Sequence, residues 1–197
     1  MARPYRLFLI RHLPTNANKK RQYCGWTDIG LARDEGDSIE FPIDVNQVYG
    51  SDLRRAHQTA AIYFPEAMYQ ADSRWRECNF GDFEGKTYEQ LKDDAAYRRW
   101  LADPWQVAPR NGETLQQVKV RILDALQDLP NDSVVVTHGG VIRLLLETFS
   151  ADPRTFWEWT VSNGSVWQFE WEDEQQWKEG QPCTSLSEVP ITAKRSM

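Results

Sequence analysis

The chain has 197 residues, a mass of 23.0 kDa and a formal net charge of −6. Hydrophobic residues make up 41% and charged residues 26%, a balance that suits one globular core without disulfide or metal staples. No apolar run approaches the roughly 20 residues that cross a bilayer, Leu7 to Ile10 is too short for the apolar region of a secretory signal, and the acidic balance argues against nonspecific nucleic-acid binding.

Charge is uneven along the chain. Residues 1–25 carry Arg3, Arg6, Arg11, Lys19, Lys20 and Arg21 and no acid, which is either a solvated basic face or a place for a small anion. Cys24, Cys78 and Cys183 are odd in number and widely spaced. That predicts reduced thiols in a cytoplasmic protein, not a disulfide framework or a zinc site.

Tyr5 to Ile10 predicts a short buried strand that ends at Arg11-His12, ahead of Pro14. Residues 13–30 are polar and read as a long loop. Residues 31–46 are weakly patterned, and Val45 to Gly50 predicts a second strand. Ser51 is placed to cap a helix over about 53–63, stopped by Pro65, with Leu53, Ala56, Ala60 and Phe64 facing inward. Met68 to Gln70 is a candidate strand and 77–86 a glycine-bearing loop. A helix is expected over about 87–101, followed by a proline-containing loop from Pro104 to Gly112.

Thr114-Leu115-Gln116-Gln117 is a capping-box pattern. It opens an amphipathic helix carried by Leu115, Val118, Ile122, Ala125 and Leu129 and ended by Pro130. Ser133 to Val136 is the strongest strand pattern, His138-Gly139-Gly140 follows it, and Val141 to Phe149 predicts an apolar helix. Val166 to Trp171 alternates and predicts an edge strand. Alternating strands and helices predict an α/β fold, a three-layer α/β/α sandwich around a mostly parallel central sheet. Its domain is expected over 1–171, with 172–197 a partly ordered C-terminal extension.

In such sheets ligands sit beyond the carboxyl ends of the strands, and two of the three histidines fall there, His12 and His138. Arginine binds phosphoryl oxygens through a two-pronged fork. Neutral imidazole is a nucleophile near pH 7. Glycines at a helix N-terminus allow close approach of an anion. Together Arg11, His12 and His138-Gly139-Gly140 point to a metal-free phosphoryl-transfer pocket.

Five segments, in order over residues 5 to about 167, carry a resemblance to a known family. They are Arg11-His12-Leu13-Pro14-Thr15 with Asn18, Tyr23-Cys24-Gly25-Trp26-Thr27-Asp28, and Ser51-Asp52-Leu53-Arg54-Arg55-Ala56-His57-Gln58-Thr59-Ala60. Arg76-Glu77 with Phe80-Gly81-Asp82-Phe83-Glu84-Gly85 follows, then Gly112-Glu113-Thr114 with Thr137-His138-Gly139-Gly140-Val141-Ile142-Arg143. The chain resembles the histidine phosphatase superfamily, also called phosphoglycerate mutase-like. The short length, Gly112-Glu113-Thr114 and Asn163-Gly164-Ser165-Val166 resemble its small-phosphatase branch, typified by alpha-ribazole phosphatase.

The resemblance implies a metal-independent phosphatase that hydrolyses a small phosphomonoester through a phosphohistidine on His12. It implies that Arg11, Arg55 and His138 bind the phosphoryl group with help from Asn18 and Gly139. Cys24 and Gly25 would line the site. Glu77 would be the general acid and then the base, a role that needs a carboxyl protonated near neutral pH, as burial favours. The motif spacing selects Arg55 over Arg54, leaves His57 on a helix surface and makes Glu84 a structural residue. Trp100, Trp105, Arg98, Arg99 and Arg110 fall in the substrate-shaping 86–110 region, where a helix exterior with aromatic packing is the plainer account. No metal or other cofactor is expected. The expected partner is a small phosphorylated metabolite, with no nucleic acid or membrane, and a homodimer is compatible with the resemblance. Leu13-Pro14 stands where the family has glycine and an acid. That departure keeps open a non-catalytic phosphate-ligand binding module; a mutase-type phosphotransferase, which would keep the phosphoryl group for a second acceptor, is the other alternative.

Overall fold

A computed structural model describes residues 3–33 and 37–194. Of the weakly patterned 31–46 stretch, 34–36 lie outside the described residues, as do 195–197 of the expected extension. The elements run β1 (Tyr5–Arg11), α1 (Asn16–Lys19), β2 (Ile39–Glu40), β3 (Gln47–Gly50), α2 (Arg54–Tyr63), β4 (Met68–Ala71), α3 (Tyr88–Leu91) and α4 (Ala95–Ala102). They continue with α5 (Leu115–Leu126), β5 (Ser133–Thr137), α6 (Gly139–Phe149), β6 (Val166–Trp171), α7 (Glu174–Lys178), β7 (Ser185–Val189) and β8 (Thr192–Ala193).

The main sheet has the order β4-β3-β5-β1-β6-β7. β4, β3, β5 and β1 are parallel neighbours, and β6 runs antiparallel to both β1 and β7. β1 lies inside this sheet with both faces covered, which explains its unbroken apolar run. Its side chains alternate between the two layers. Leu7 and Leu9 join the core under α5 and α6, while Phe8 and Ile10 join Ala56, Ala60 and Tyr63 of α2. β5 divides in the same way, Val135 to the first core and Val134 and Val136 to the second. The result is the expected α/β/α sandwich.

Four local expectations change. The 13–30 loop contains α1, because the Thr15 and Asn18 side chains form a reciprocal cap around its first turn. Ser51 is not the cap of α2. Its Oγ accepts the Leu53 N–H at 3.3 Å, and the Arg54 N–H goes to Asp28 Oδ1 at 2.8 Å, a partner 26 residues away. The expected 87–101 helix is two helices, because Asp94 accepts the Ala96 and Tyr97 N–H groups and restarts the chain as α4. α6 begins at Gly139, not at Val141, with His138 itself in the N-cap position.

β6 is not an edge strand, since β7 pairs along it from Glu170 to Val166. The residues after Trp171 enter the same core. The Trp177 ring stacks on Tyr5 at 4.9 Å with 12° between planes, and Cys183 is buried beside it. Trp177→Ala is expected to destabilise the fold by about 3–5 kcal/mol, the usual cost of emptying a buried aromatic site. Denaturant unfolding measures this, and a loss below about 0.5 kcal/mol would mean the segment packs only loosely.

Candidate active site

Parallel pairing sets Arg11 opposite Thr137 at the carboxyl ends of β1 and β5. The ladder continues one step, with the His12 N–H donating to Thr137 O at 3.0 Å. His12 and His138 therefore leave adjacent strands together, with ring centroids 5.2 Å apart at 62°. Both are buried, His12 at 4% exposure and His138 at 0%.

Hydrogen bonding fixes each ring's tautomer. His12 Nδ1 lies 2.7 Å from Leu13 O, and a carbonyl only accepts, so Nδ1 carries the proton. His12 Nε2 thus keeps its lone pair. Arg55 Nε donates to His138 Nδ1 at 3.3 Å, so the proton of that neutral ring is on Nε2. His138 Nε2 is buried without a partner among the described residues, and so is Arg11 Nε. Two buried, unanswered donors next to one nucleophilic nitrogen call for an anionic oxygen.

Arg11 lines the site while its Nη1 holds Val161 O at 2.5 Å. Gly139 makes room for this, because a Cβ there would sit 3.1 Å from the Arg11 guanidinium carbon and push it aside by a few tenths of an ångström. Arg55 is wholly buried and bonds to the carbonyls of Thr27 at 3.0 Å, Gly25 at 2.6 Å and Cys24 at 3.4 Å. It clamps the 24–27 loop and His138 to one point. Arg54 is exposed and pairs with Asp28, and His57 is exposed beside Tyr69. The register chosen from the motif is the one that buries the cation.

Glu77 is buried and accepts two backbone N–H groups, from Cys78 at Oε1 and from Gly140 at Oε2, both at 2.9 Å. A Cβ on Gly140 would lie 2.3 Å from Glu77 Oε1, so glycine is what lets the carboxylate reach the start of α6. Asn18 Oδ1 is engaged by Thr15, and the Asn163 side chain bridges from His12 O at 3.0 Å towards it. The Gly25 N–H is held by Glu84 at 3.0 Å, and the Cys24 thiol turns to Thr27 O at 3.8 Å, so these two groups are turned away from a ligand. Glu84 also accepts from Trp26, Thr27 and Phe80, a structural role. Burial pushes the Cys24 thiol up from its ordinary value, partly opposed by Arg55, which keeps it protonated near neutral pH.

Leu13-Pro14 does not distort this corner. Among the described residues only Arg21, Asn111 and Asp132 have positive φ without being glycine, so Leu13 needs no glycine-like backbone. Its N–H is held by Thr59 Oγ1 at 2.9 Å. The substrate-shaping candidates of the 86–110 region mostly fall away: Trp100 is buried among Tyr97 and Phe83, and Arg98, Arg99 and Arg110 are exposed.

Sequence reasoning missed Arg121. Its guanidinium holds the carbonyls of Arg74 and Arg76 at 2.7 Å and of Glu77 at 2.9 Å, and pairs with Glu113 at 3.0 Å. Glu113 in turn holds the Asn79 N–H at 2.9 Å. The available signal was a cation on the flank of the α5 apolar stripe, between Val118 and Ile122. No group of three or more His, Cys, Asp or Glu able to hold a metal occurs among the described residues, and none of their helices is long and apolar enough to cross a membrane.

The histidine phosphatase superfamily (branch 1) profile matches residues 7–181. The chain belongs to this family. Phosphoglycerate mutase-like protein 4 of Arabidopsis thaliana is 30% identical over 189 residues, 87% of this chain and 81% of that protein. Adenosylcobalamin/alpha-ribazole phosphatase of Salmonella typhimurium is 30% identical over 178 residues, 81% of this chain and 87% of that protein. The solved structure of YhfR from Bacillus stearothermophilus superposes with a TM-score of 0.70 at 28% identity, covering 85% of this chain and 91% of that one. Family and relatives make the chain an enzyme that hydrolyses phosphate esters.

Burial holds both imidazoles well below the ordinary value of 6.5, and the Arg55 charge adds to this in each. On acidification through 6.5 the unfolded chain takes up these protons first, so stability present above that pH is lost below it. The denaturation midpoint is expected to fall as pH drops below 6.5, by up to about 1.4 kcal/mol per pH unit for each histidine. In His138→Asn the slope should be reduced, and an unchanged slope would refute the assignment. Arg55→Ala is expected to lower kcat by about 10²–10³, the range for losing one fixed donor near developing charge. Arg54→Ala should stay within about threefold of the parent enzyme, as an exposed substitution does. Steady-state kinetics compares the two, and the reverse ranking would refute the buried-cation register.

Proposed function

We propose that the chain is a metal-independent phosphatase that hydrolyses a small phosphorylated metabolite through a phosphohistidine on His12. One observation carries this reading: His12 is fixed as the Nδ1–H tautomer, with a free Nε2 beside the unanswered donors Arg11 Nε and His138 Nε2.

His12 Nε2 attacks phosphorus, and the bond from phosphorus to the alcohol oxygen breaks. Glu77 passes a proton to that oxygen, so the alcohol leaves neutral. The His12 Nδ1–H bond to Leu13 O persists through the step and spreads the positive charge of the phosphorylated ring. Arg11 and His138 hold phosphoryl oxygens as their charge shifts, and the start of α6 at Gly139 adds its positive end. Arg55 acts mainly through His138 and the 24–27 loop, whose carbonyls it binds. A water then enters and gives its proton to Glu77 as its oxygen bonds to phosphorus; the bond from phosphorus to His12 Nε2 breaks with the electron pair returning to the ring, so inorganic phosphate departs and His12 and the protonated Glu77 are restored.

Hydrolysis of p-nitrophenyl phosphate in excess chelator should proceed in the parent enzyme and fall at least about 10³-fold in His12→Ala. Activity lost to chelator and restored by a metal would overturn the mechanism. Glu77→Gln should slow esters of poor leaving groups more than aryl esters, since only the former need the proton; equal slowing would remove Glu77 from the acid role. Recovery of the phosphoryl group on an added alcohol acceptor, with little inorganic phosphate, would point to a mutase-type transferase instead.

A further inference from the structure

On the footing of the phosphatase reading, we propose that the substrate carries a second anionic group, a carboxylate or a further phosphate, held by Arg21 and Arg143 in the cavity beside His12. The cavity has a volume of about 420 Å³, and its lining includes Arg11, Arg21, Arg143, Asn18, Asn163 and Tyr88. No carboxylate lines it.

The cavity brings three arginines together with no acid in its lining. The chain is acidic overall, and Arg54, Arg74, Arg76, Arg110, Arg121 and Arg154 each pair with an acid. Even the other N-terminal arginines, Arg3 and Arg6, share Asp132. Arg11, Arg21 and Arg143 form no ion pair among the described residues; Arg55 is held by carbonyls instead, and the unpaired Arg33, Arg98 and Arg99 are exposed and lie outside this cavity. Three converging guanidinium groups without an acid are held at a cost that an anionic guest removes.

One phosphoryl group does not account for all three. The buried, unpartnered donors at the reactive corner are Arg11 Nε, from the residue next to His12, and His138 Nε2, from the ring that faces it. His12, His138, Arg55 and Glu77 do not line this cavity, whereas Arg11, Asn18 and Asn163 join it to the reactive corner. Arg21 and Arg143 are therefore surplus to the reacting phosphate. Arg143 is one of two charged residues in the apolar helix α6, and its Nε is fixed on Trp159 O at 3.0 Å, which leaves the end of the guanidinium for a ligand. Arg21 sits at φ 55, a left-handed backbone that glycine would adopt with less strain. The exposed Tyr88 ring at the rim leaves room for a small carbon skeleton between the two anionic ends.

The test compares kcat/KM within two matched pairs of esters: 3-phosphoglycerate against glycerol 3-phosphate, and fructose 1,6-bisphosphate against fructose 6-phosphate. Turnover of p-nitrophenyl phosphate reports on the phosphatase reading separately. In the parent enzyme at least one pair should favour the extra anion by roughly 10- to 150-fold, the worth of one hydrogen bond to a charged group. A preference in the first pair identifies a carboxylate and in the second a further phosphate. Arg21→Gln and Arg143→Gln should each cut that ratio at least about fivefold, while Arg98→Gln, outside the cavity, should keep it. Arg21 is exposed, so its variant keeps the test valid if Arg143→Gln fails to fold. Turnover of the aryl ester with a ratio near one in both pairs, or a ratio unchanged in both variants, would overturn the proposal and leave the phosphatase reading standing. No turnover of any ester would end both.

Discussion

Everything at the active site depends on the parallel pairing of β1 with β5. That ladder sets Ile10 against Val136 and Arg11 against Thr137, and it extends through the His12 N–H to Thr137 O. A slip of one residue would send every β1 side chain to the opposite layer, exchanging the Leu7 and Leu9 core for the Phe8 and Ile10 core. Burial of both faces makes such a slip costly. The same packing that stabilises the sandwich therefore fixes the distance between two imidazoles at its carboxyl edge.

The second constraint is electrostatic. A wholly buried guanidinium, Arg55, is held by carbonyls of the 24–27 loop and by one imidazole, with no carboxylate paired to it among the described residues. Burial keeps protons off both histidines, and the Arg55 charge reinforces this in each. A neutral His12 is a nucleophile and a neutral His138 with its proton on Nε2 is a donor, so one cation defines both roles. The pocket is left with excess positive character, which makes it a poor site for an alcohol and a good one for a phosphoryl group.

The acid arm is braced from the opposite side. Arg121 gathers the carbonyls of Arg74, Arg76 and Glu77, and Trp26 Nε1 adds a 3.0 Å bond to Glu77 O. Arg76 packs on the Trp26 ring at 4.8 Å and pairs with Asp52. Glu77 itself is pinned by the Cys78 and Gly140 N–H groups. Nucleophile and carboxylate thus come from segments more than 60 residues apart, and each is oriented by bonds to the backbone: His12 through Nδ1, which leaves Nε2 clear, and Glu77 through one N–H on each carboxylate oxygen.

The sequence by itself determined the strands of the core and the residues at their ends. Short unbroken apolar runs announce β1 and β5, the capping box announces α5, and the ordered motifs select His12, Arg55, Glu77 and His138. These signals are local, or lie in fixed spacing along one segment. What only the tertiary structure decided are the partners supplied from afar. Asp28 caps α2 in place of Ser51, β7 covers β6, Arg121 braces Glu77, and Arg21 and Arg143 meet across a cavity. The Asp94 cap that divides the 87–101 helix is the exception, a local competition between side chain and backbone that periodicity alone does not resolve. Long-range hydrogen bonds and charge convergence leave no period in the sequence, because their spacing is set by the sheet register and not by the chain.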